Sequence, residues 1–173
     1  MPIDSNARPK LQAPAGTCDT HMHVYDGKYP KAPTAKFVPP DAPVSAYRKM
    51  CVRLGIKRTV VVQPSTYGKD NRCTLESVAA IGANARCIAV VDESVTDAEL
   101  DRLTKLGARG IRFFMLPGAP LPWEILETMS ARVSPFGWHV QLQLDGRDLP
   151  DRAAMLKRLT SLCLRRATIV EVA

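Results

Sequence analysis

Residues 59–64 read TVVVQP. The β-branched run Thr59 to Val62 has no polar residue at alternate positions. A strand that is apolar on both faces is covered on both sides, as in a parallel sheet flanked by helices. Similar runs recur on either side of it. They stand at 18–24 (CDTHMHV), 87–92 (CIAVVD), 110–115 (GIRFFM), 139–145 (HVQLQLD) and 168–173 (TIVEVA), the last as a strand cut off at its end. A parallel strand and its crossover helix need about the chain length that separates these runs. The expected fold class is α/β, a partial TIM (β/α)8 barrel with about five βα units plus a sixth strand. An open doubly wound sheet is the competing arrangement. Neither GxGxxG nor GxxxxGK[ST] occurs in the chain, so a nucleotide-binding version of that sheet has little support.

The segments between the runs have helical spacing. Ser45 can cap a helix to Leu54 with Tyr47, Met50 and Leu54 inward, and Gly55 suits its end. Leu75, Val78 and Ala79 form a second inward face. Thr96 and Glu99 make a capping box before a third helix with Leu100, Leu103 and Leu106 inward, ended by Gly107. Pro122 and Trp123 open a fourth, with Ile125, Leu126, Met129 and Val133 inward. Asp148 and Pro150 open a fifth, with Met155, Leu156, Leu159 and Leu162 on one side. Residues 25–44 form a long loop rich in proline and lysine, a candidate lid or a surface excursion. The domain expected is 16–173, preceded by a flexible segment, 1–15.

Composition sets several function classes aside. The chain has 173 residues and a net charge of +7, with 46% hydrophobic, 24% charged and 6% aromatic residues. The basic residues are scattered and interleaved with acids, and aromatics are few, so no nucleic-acid partner is expected. There is no apolar run long enough for a membrane span and no secretory signal at the start. The five cysteines are odd in number and include no CxxC pair, which points to reduced thiols and a cytoplasmic setting.

Two of the three histidines form His21-Met22-His23. On a strand, residues i and i+2 share a face, so both rings turn toward the barrel axis near the strand's C-terminal end, where barrel active sites lie. Imidazole serves as a general base or a metal ligand. The alternative is a pair of polar residues satisfied by neighbouring hydrogen bonds. His139 begins strand five, about 20 Å from that end at about 3.3 Å per residue, which suits a cap or core role. The chain's own histidines therefore do not make a three-histidine zinc site. Arg112 interrupts an apolar strand. A buried guanidinium needs a carboxylate, either a ligand's or an internal one such as Asp92 or Asp145. Gln63, Ser65, Gln141, Gln143 and Asp145 lie in or just after strands two and five. Of these, Asp145 is the stronger site candidate, and Gln141 suits a hydrogen-bonded barrel layer.

Taken together, CDTHMHVYD, VVVQPSTYGKDN, ARGIRFFMLPGAPLPWE and GWHVQLQLDGRDLP resemble the amidohydrolase-related family. The resemblance is to its lactonase-type branch, which includes pyrone-dicarboxylate lactonases, sulfomuconolactone hydrolases and galactarolactone isomerases. It implies a TIM-barrel hydrolase acting on a lactone of a polycarboxylic acid, with a small carboxylate or lactone as partner. His21 and His23 would be catalytic, Arg112 and Ser65 would hold the substrate, and Asp145 is added from its place on strand five. Amidohydrolases at large use a divalent metal, Zn or Mn here, which would sit on His21 and His23. Some lactonases of this branch work without one, so both modes stay open. Two positions depart from the pyrone-dicarboxylate pattern: Phe37 and Gly118 stand where a tyrosine and a second arginine are expected. The family's sixth-strand histidine and eighth-strand aspartate have no counterpart. The expectation is therefore a C-terminally incomplete chain with little hydrolysis of its own, or else a non-catalytic carboxylate-binding module. Sheet edges left open by such a chain would favour self-association.

Overall fold

The computed structural model describes residues 9–37, 39–159 and the backbone of 168–170. Six strands, β1 (Cys18–Met22), β2 (Arg58–Val62), β3 (Ala85–Ala89), β4 (Ala108–Phe114), β5 (His139–Gln143) and β6 (Thr168–Val170), form one sheet in sequence order. Every pairing is parallel. Between them run α1 (Val44–Leu54), α2 (Arg72–Ile81), α3 (Asp97–Lys105), α4 (Leu126–Val133) and α5 (Leu149–Arg158). Five βα units and a sixth strand in unbroken order are a partial barrel, as the spacing of the apolar runs predicts. Residues 171–173 and Leu162 lie outside the described residues.

Strand alternation divides the side chains into two sets. Val61, Cys87, Ala89, Ile111, Phe113, Val140 and Leu142 pack in one core with Leu100, Leu103, Leu126, Met129 and Val133 of the helices. The neighbours between them point the other way, toward the barrel interior. There β2 and β3 contribute apolar Val62 and Ile88, both buried. β4 and β5 contribute Arg112, Gln141 and Gln143, with Arg112 directly opposite Gln141 in the ladder.

Several helix expectations need correction. α1 begins after Pro43 rather than on a Ser45 cap, and it contains no buried residue. Met50, expected inward, is exposed. α2 buries Cys73, Thr74, Ser77 and Val78 while Ala79 is exposed. Its rotation follows polar anchors: the Thr74 hydroxyl donates to Gln63 Oε1 at 2.5 Å, and the Cys73 thiol donates to the Val24 carbonyl at 3.7 Å. α3 stops one residue early, leaving Leu106 exposed as its C-cap. Half of its capping box forms, since Glu99 N–H donates to Thr96 Oγ1 at 3.2 Å while the Glu99 carboxylate pairs with Arg102.

The interior closes tightly at the N-terminal end. A Cβ on Gly110 would lie 2.7 Å from the His139 carbonyl oxygen and 3.0 Å from Ile88 Cδ1, so β4 approaches β5 only because residue 110 has no side chain. Gly110→Ala is expected to cost about 1–3 kcal/mol by overpacking. Val52→Thr, on the exposed face of α1, should stay within about 0.5 kcal/mol. Urea denaturation of the two variants checks both.

Candidate active site

The first strand aims its histidines through a bulge. Asp19 pairs with Thr59 and Met22 with Val61, so β1 spends one residue more than β2 between these points. Bulges re-aim side chains and cluster near active sites. This one is tied by Asp19, whose Oδ1 accepts the His21 N–H at 3.1 Å and whose Oδ2 accepts the Tyr47 hydroxyl at 3.0 Å. Past the bulge, Met22 and Val24 enter the core while His21 and His23 face the interior. Their rings meet edge to face with centroids 5.0 Å apart.

Each ring has one identified partner. Nδ1 of His23 lies 2.8 Å from the Val62 carbonyl oxygen. A carbonyl only accepts, so the proton of neutral His23 sits on Nδ1 and its Nε2 is a lone pair. Nδ1 of His21 faces the Gln141 side-chain nitrogen at 3.4 Å. That amide donates, which leaves the His21 proton on Nε2. Burial is the largest cause lowering both rings' pKa, and the Arg112 charge adds to it; His23 is pushed down to about 4. Near neutral pH the pair is therefore uncharged, with one ring presenting a donor and the other an acceptor.

Arg112 is only 4% exposed. Its Nη1 donates to the Gln63 carbonyl at 2.6 Å and its Nη2 to Gln143 Oε1 at 2.5 Å. The guanidinium stacks over Phe114 at 5.3 Å. Burial lowers its pKa to about 10, which still leaves it cationic. Neither internal carboxylate considered from the sequence reaches it. Asp92 pairs with Lys69, and Asp145 pairs with Arg147 while accepting that residue's backbone N–H. Among the described residues no carboxylate pairs with Arg112.

The other sequence candidates divide. Ser65, half-buried, opens a short 3-10 turn directly after β2. Asp145 caps the turn after β5 and is engaged there with Arg147. The Gln63 side chain instead braces its own loop, donating to the Gly68 and Asp70 carbonyls. His139 stands at the start of β5 opposite Gly110, far from the other two histidines along the strands. Phe37 is exposed, and a Cβ at Gly118 would meet the Thr34 carbonyl at 2.9 Å. The loops after β1 and β4 thus touch where the second arginine was expected.

One contributor, Tyr25, was not singled out from the sequence, and another, Gln143, was grouped there only with the polar residues of strand five. Gln143 holds the Arg112 fork. Tyr25 continues the His21-His23 alternation, because Tyr25 and Ala42 form an isolated antiparallel bridge that keeps the chain extended. Its ring lies 6.0 Å from that of His23, and the Arg112 charge acts on its phenol. The alternation HMHVY carried that signal.

No group of three His, Cys, Asp or Glu among the described residues could hold a metal ion. His21 and His23 supply two imidazoles, one protein ligand short of a catalytic zinc set. Of the two rings, His23 offers Nε2 as a lone pair while His21 presents a proton there. The described residues therefore do not fit a metal by themselves.

Known proteins share this arrangement of strands and motifs. The amidohydrolase family model matches residues 18–164; the chain belongs to that family. It is 35% identical over 149 residues to a 2-pyrone-4,6-dicarboxylate hydrolase of Comamonas testosteroni, covering 84% of this chain and 49% of the relative. It is 32% identical to a D-galactarolactone isomerase of Agrobacterium fabrum, covering 91% and 54%. A 4-sulfomuconolactone hydrolase of Hydrogenophaga intermedia is 33% identical, with 85% and 50% covered. The chain thus spans about half the length of these relatives. Among solved structures, an apo protein of Agrobacterium tumefaciens superposes with a TM-score of 0.84 at 30% identity, covering 93% of this chain and 57% of that one. A probable 2-pyrone-4,6-dicarboxylic acid hydrolase of Acinetobacter baumannii, solved with citric acid bound, gives 0.77 at 26% identity, covering 88% and 57%.

The histidine assignment has a direct pH consequence. The folded-state pKa of His23, about 4, lies below its ordinary value of 6.5. The unfolded chain then binds more protons between these values, so this contribution is complete above pH 6.5 and is lost as pH falls toward 4. Its size is up to about 3 kcal/mol. His23→Gln should flatten that part of the stability profile in urea denaturation at pH 7 and pH 4.5. In ¹⁵N NMR at pH 7.5, His23 should show a protonated Nδ1; a protonated Nε2 there would contradict the assignment.

Proposed function

We propose that this chain, with residues 16–173 as its domain, recognises the carboxylate of a polycarboxylic lactone for a lactone-opening reaction. The observation that carries the reading is Arg112, a buried cation that no described carboxylate neutralises. Burying an unpaired charge is costly, and a planar fork beside a barrel mouth suits a ligand carboxylate. The relatives' names support the same chemistry: two are hydrolases of a dicarboxylated pyrone and a sulfonated lactone, and one is a sugar-acid lactone isomerase.

In this reading Arg112 binds the carboxylate, with Ser65 at the rim of the pocket and Asp145 ordering the turn that borders it. Nε2–H of His21 donates to the lactone carbonyl oxygen and stabilises charge as it develops there. Nε2 of His23 accepts a hydrogen bond from the attacking water. Water adds to the acyl carbon, the acyl C–O bond breaks, and the departing oxygen becomes a hydroxyl by taking up the proton that the water gives up. A divalent metal, Zn or Mn, would use His21 and His23 and would need its remaining ligands from outside the described residues; no step here depends on one. Two observations support the remaining proposals. The thiols of Cys18, Cys51, Cys73 and Cys87 are unpaired, in keeping with a cytoplasmic setting. β1 and β6 each pair on one side only among the described residues, in keeping with self-association.

Citrate, an available polycarboxylate, tests the central claim. Calorimetry should show it binding the intact chain, and Arg112→Met should weaken it by about 10- to 100-fold, the range of a charged hydrogen bond. Equal affinity for both proteins would overturn the assignment. Light scattering over a concentration series tests the open edges: mass should rise with concentration, and a constant monomer mass would exclude that contact.

A further inference from the structure

Gln141 carries a hydrogen-bonding capacity that the reading above leaves unused. The residue is 3% exposed. Its side-chain nitrogen faces His21, but its carbonyl oxygen is buried without a hydrogen-bond partner among the described residues. Directly across the ladder, Arg112 has the complementary deficiency: its Nε–H is buried and has no acceptor among the described residues. An unmet acceptor and an unmet donor thus stand on paired residues of the same interior face. Buried polar atoms are satisfied in the great majority of cases, so two unmet neighbours in a binding wall call for a ligand.

The kind of ligand follows from the inventory. A carboxylate accepts only, so it can satisfy Arg112 but never the Gln141 oxygen. A hydroxyl does both, accepting from Nε–H and donating to Oε1. The geometry points to Gln141 as a specificity-determining residue that selects ligands bearing a hydroxyl group beside the carboxylate gripped by Arg112. The inference rests on the carboxylate reading above and narrows its ligand class to hydroxy-carboxylates. It is also consistent with the proposed reaction, since opening a lactone yields a carboxylate and a hydroxyl from the same ring. The opposite amide orientation would present two donors in place of the oxygen and would select no hydroxyl.

Both atoms are closed to bulk water in the ligand-free chain, so any ligand must move the side chains above them. A comparison of two ligands that share this cost cancels it. Citrate and propane-1,2,3-tricarboxylate have the same three carboxylates and differ only in the central hydroxyl. Calorimetry on the intact chain should show citrate binding at least about 10-fold more tightly, because its hydroxyl gains a charged hydrogen bond from Arg112 and a neutral one to Gln141. Gln141→Met keeps the length of the side chain and removes the acceptor; in it the ratio should fall by about 3- to 10-fold, the bond from Arg112 remaining. Equal affinities in the unaltered protein overturn the inference while leaving the carboxylate reading intact. Binding of neither compound overturns both. A ratio unchanged in Gln141→Met overturns the role of Gln141. If that variant does not fold, the comparison on the unaltered chain still decides whether the hydroxyl is selected.

Discussion

The site depends on one buried positive charge. Arg112 is anchored through its two terminal nitrogens to a backbone carbonyl and an amide oxygen, which satisfy hydrogen bonds but leave the charge without a counterion among the described residues. A guanidinium cannot shed its proton at neutral pH, so the protein cannot escape the cost by neutralising it. The consequence spreads to its neighbours. The cation disfavours protonation of both histidines, adding to their burial, and keeps the pair available as neutral donor and acceptor. Arg112 therefore adds to the burial that keeps His21 and His23 neutral, and it holds a positive charge beside them.

Parallel pairing makes this possible by separating stability from chemistry. The outward residues of β2 to β5 are almost all apolar and pack on the helices, so the core does not rely on the interior face. That leaves β4 and β5 free to carry Arg112, Gln141 and Gln143 inward, one per pleat, where strand register keeps them opposite one another. β1 is different. It has no partner on one side among the described residues, and its histidines are aimed by a bulge that the Asp19 carboxylate stabilises. The Asp19 contacts to His21 and Tyr47 do locally what flanking strands do for β4 and β5.

Much of this was legible in the sequence because it follows from short-range periodicity. The order of the strands comes from β-branched runs, although each of the first five strands ends one to three residues before its run does, and the inward aim of His21 and His23 comes from alternation alone. Arg112 was conspicuous as a charge within an apolar strand. What stayed hidden depended on contacts between distant segments. Whether Arg112 meets Asp92 or Asp145 is decided by Lys69 and Arg147, which occupy those carboxylates first. The rotation of α2 is decided by Gln63, whose polar side chain looks like a site residue but anchors Thr74. Gln141 suggested a structural layer, and its two amide ends turn out to have different environments. Leu106 and Met50 were misplaced because helical periodicity does not show where a helix stops or whether anything lies above it.

The described half of the family's fold is therefore stronger in recognition than in water activation. Its acidic side chains near the strand ends are committed: Asp19 to His21 and Tyr47, Asp92 to Lys69, Asp145 to Arg147. The remaining basic atom at the site is Nε2 of His23, on a ring whose proton affinity burial and Arg112 both reduce. Such a nitrogen orients water well but is a weak base at neutral pH, because a general base works best with a pKa near the working pH. Anion binding and water activation call for different physics, a buried cation for one and a group with a pKa near the working pH for the other.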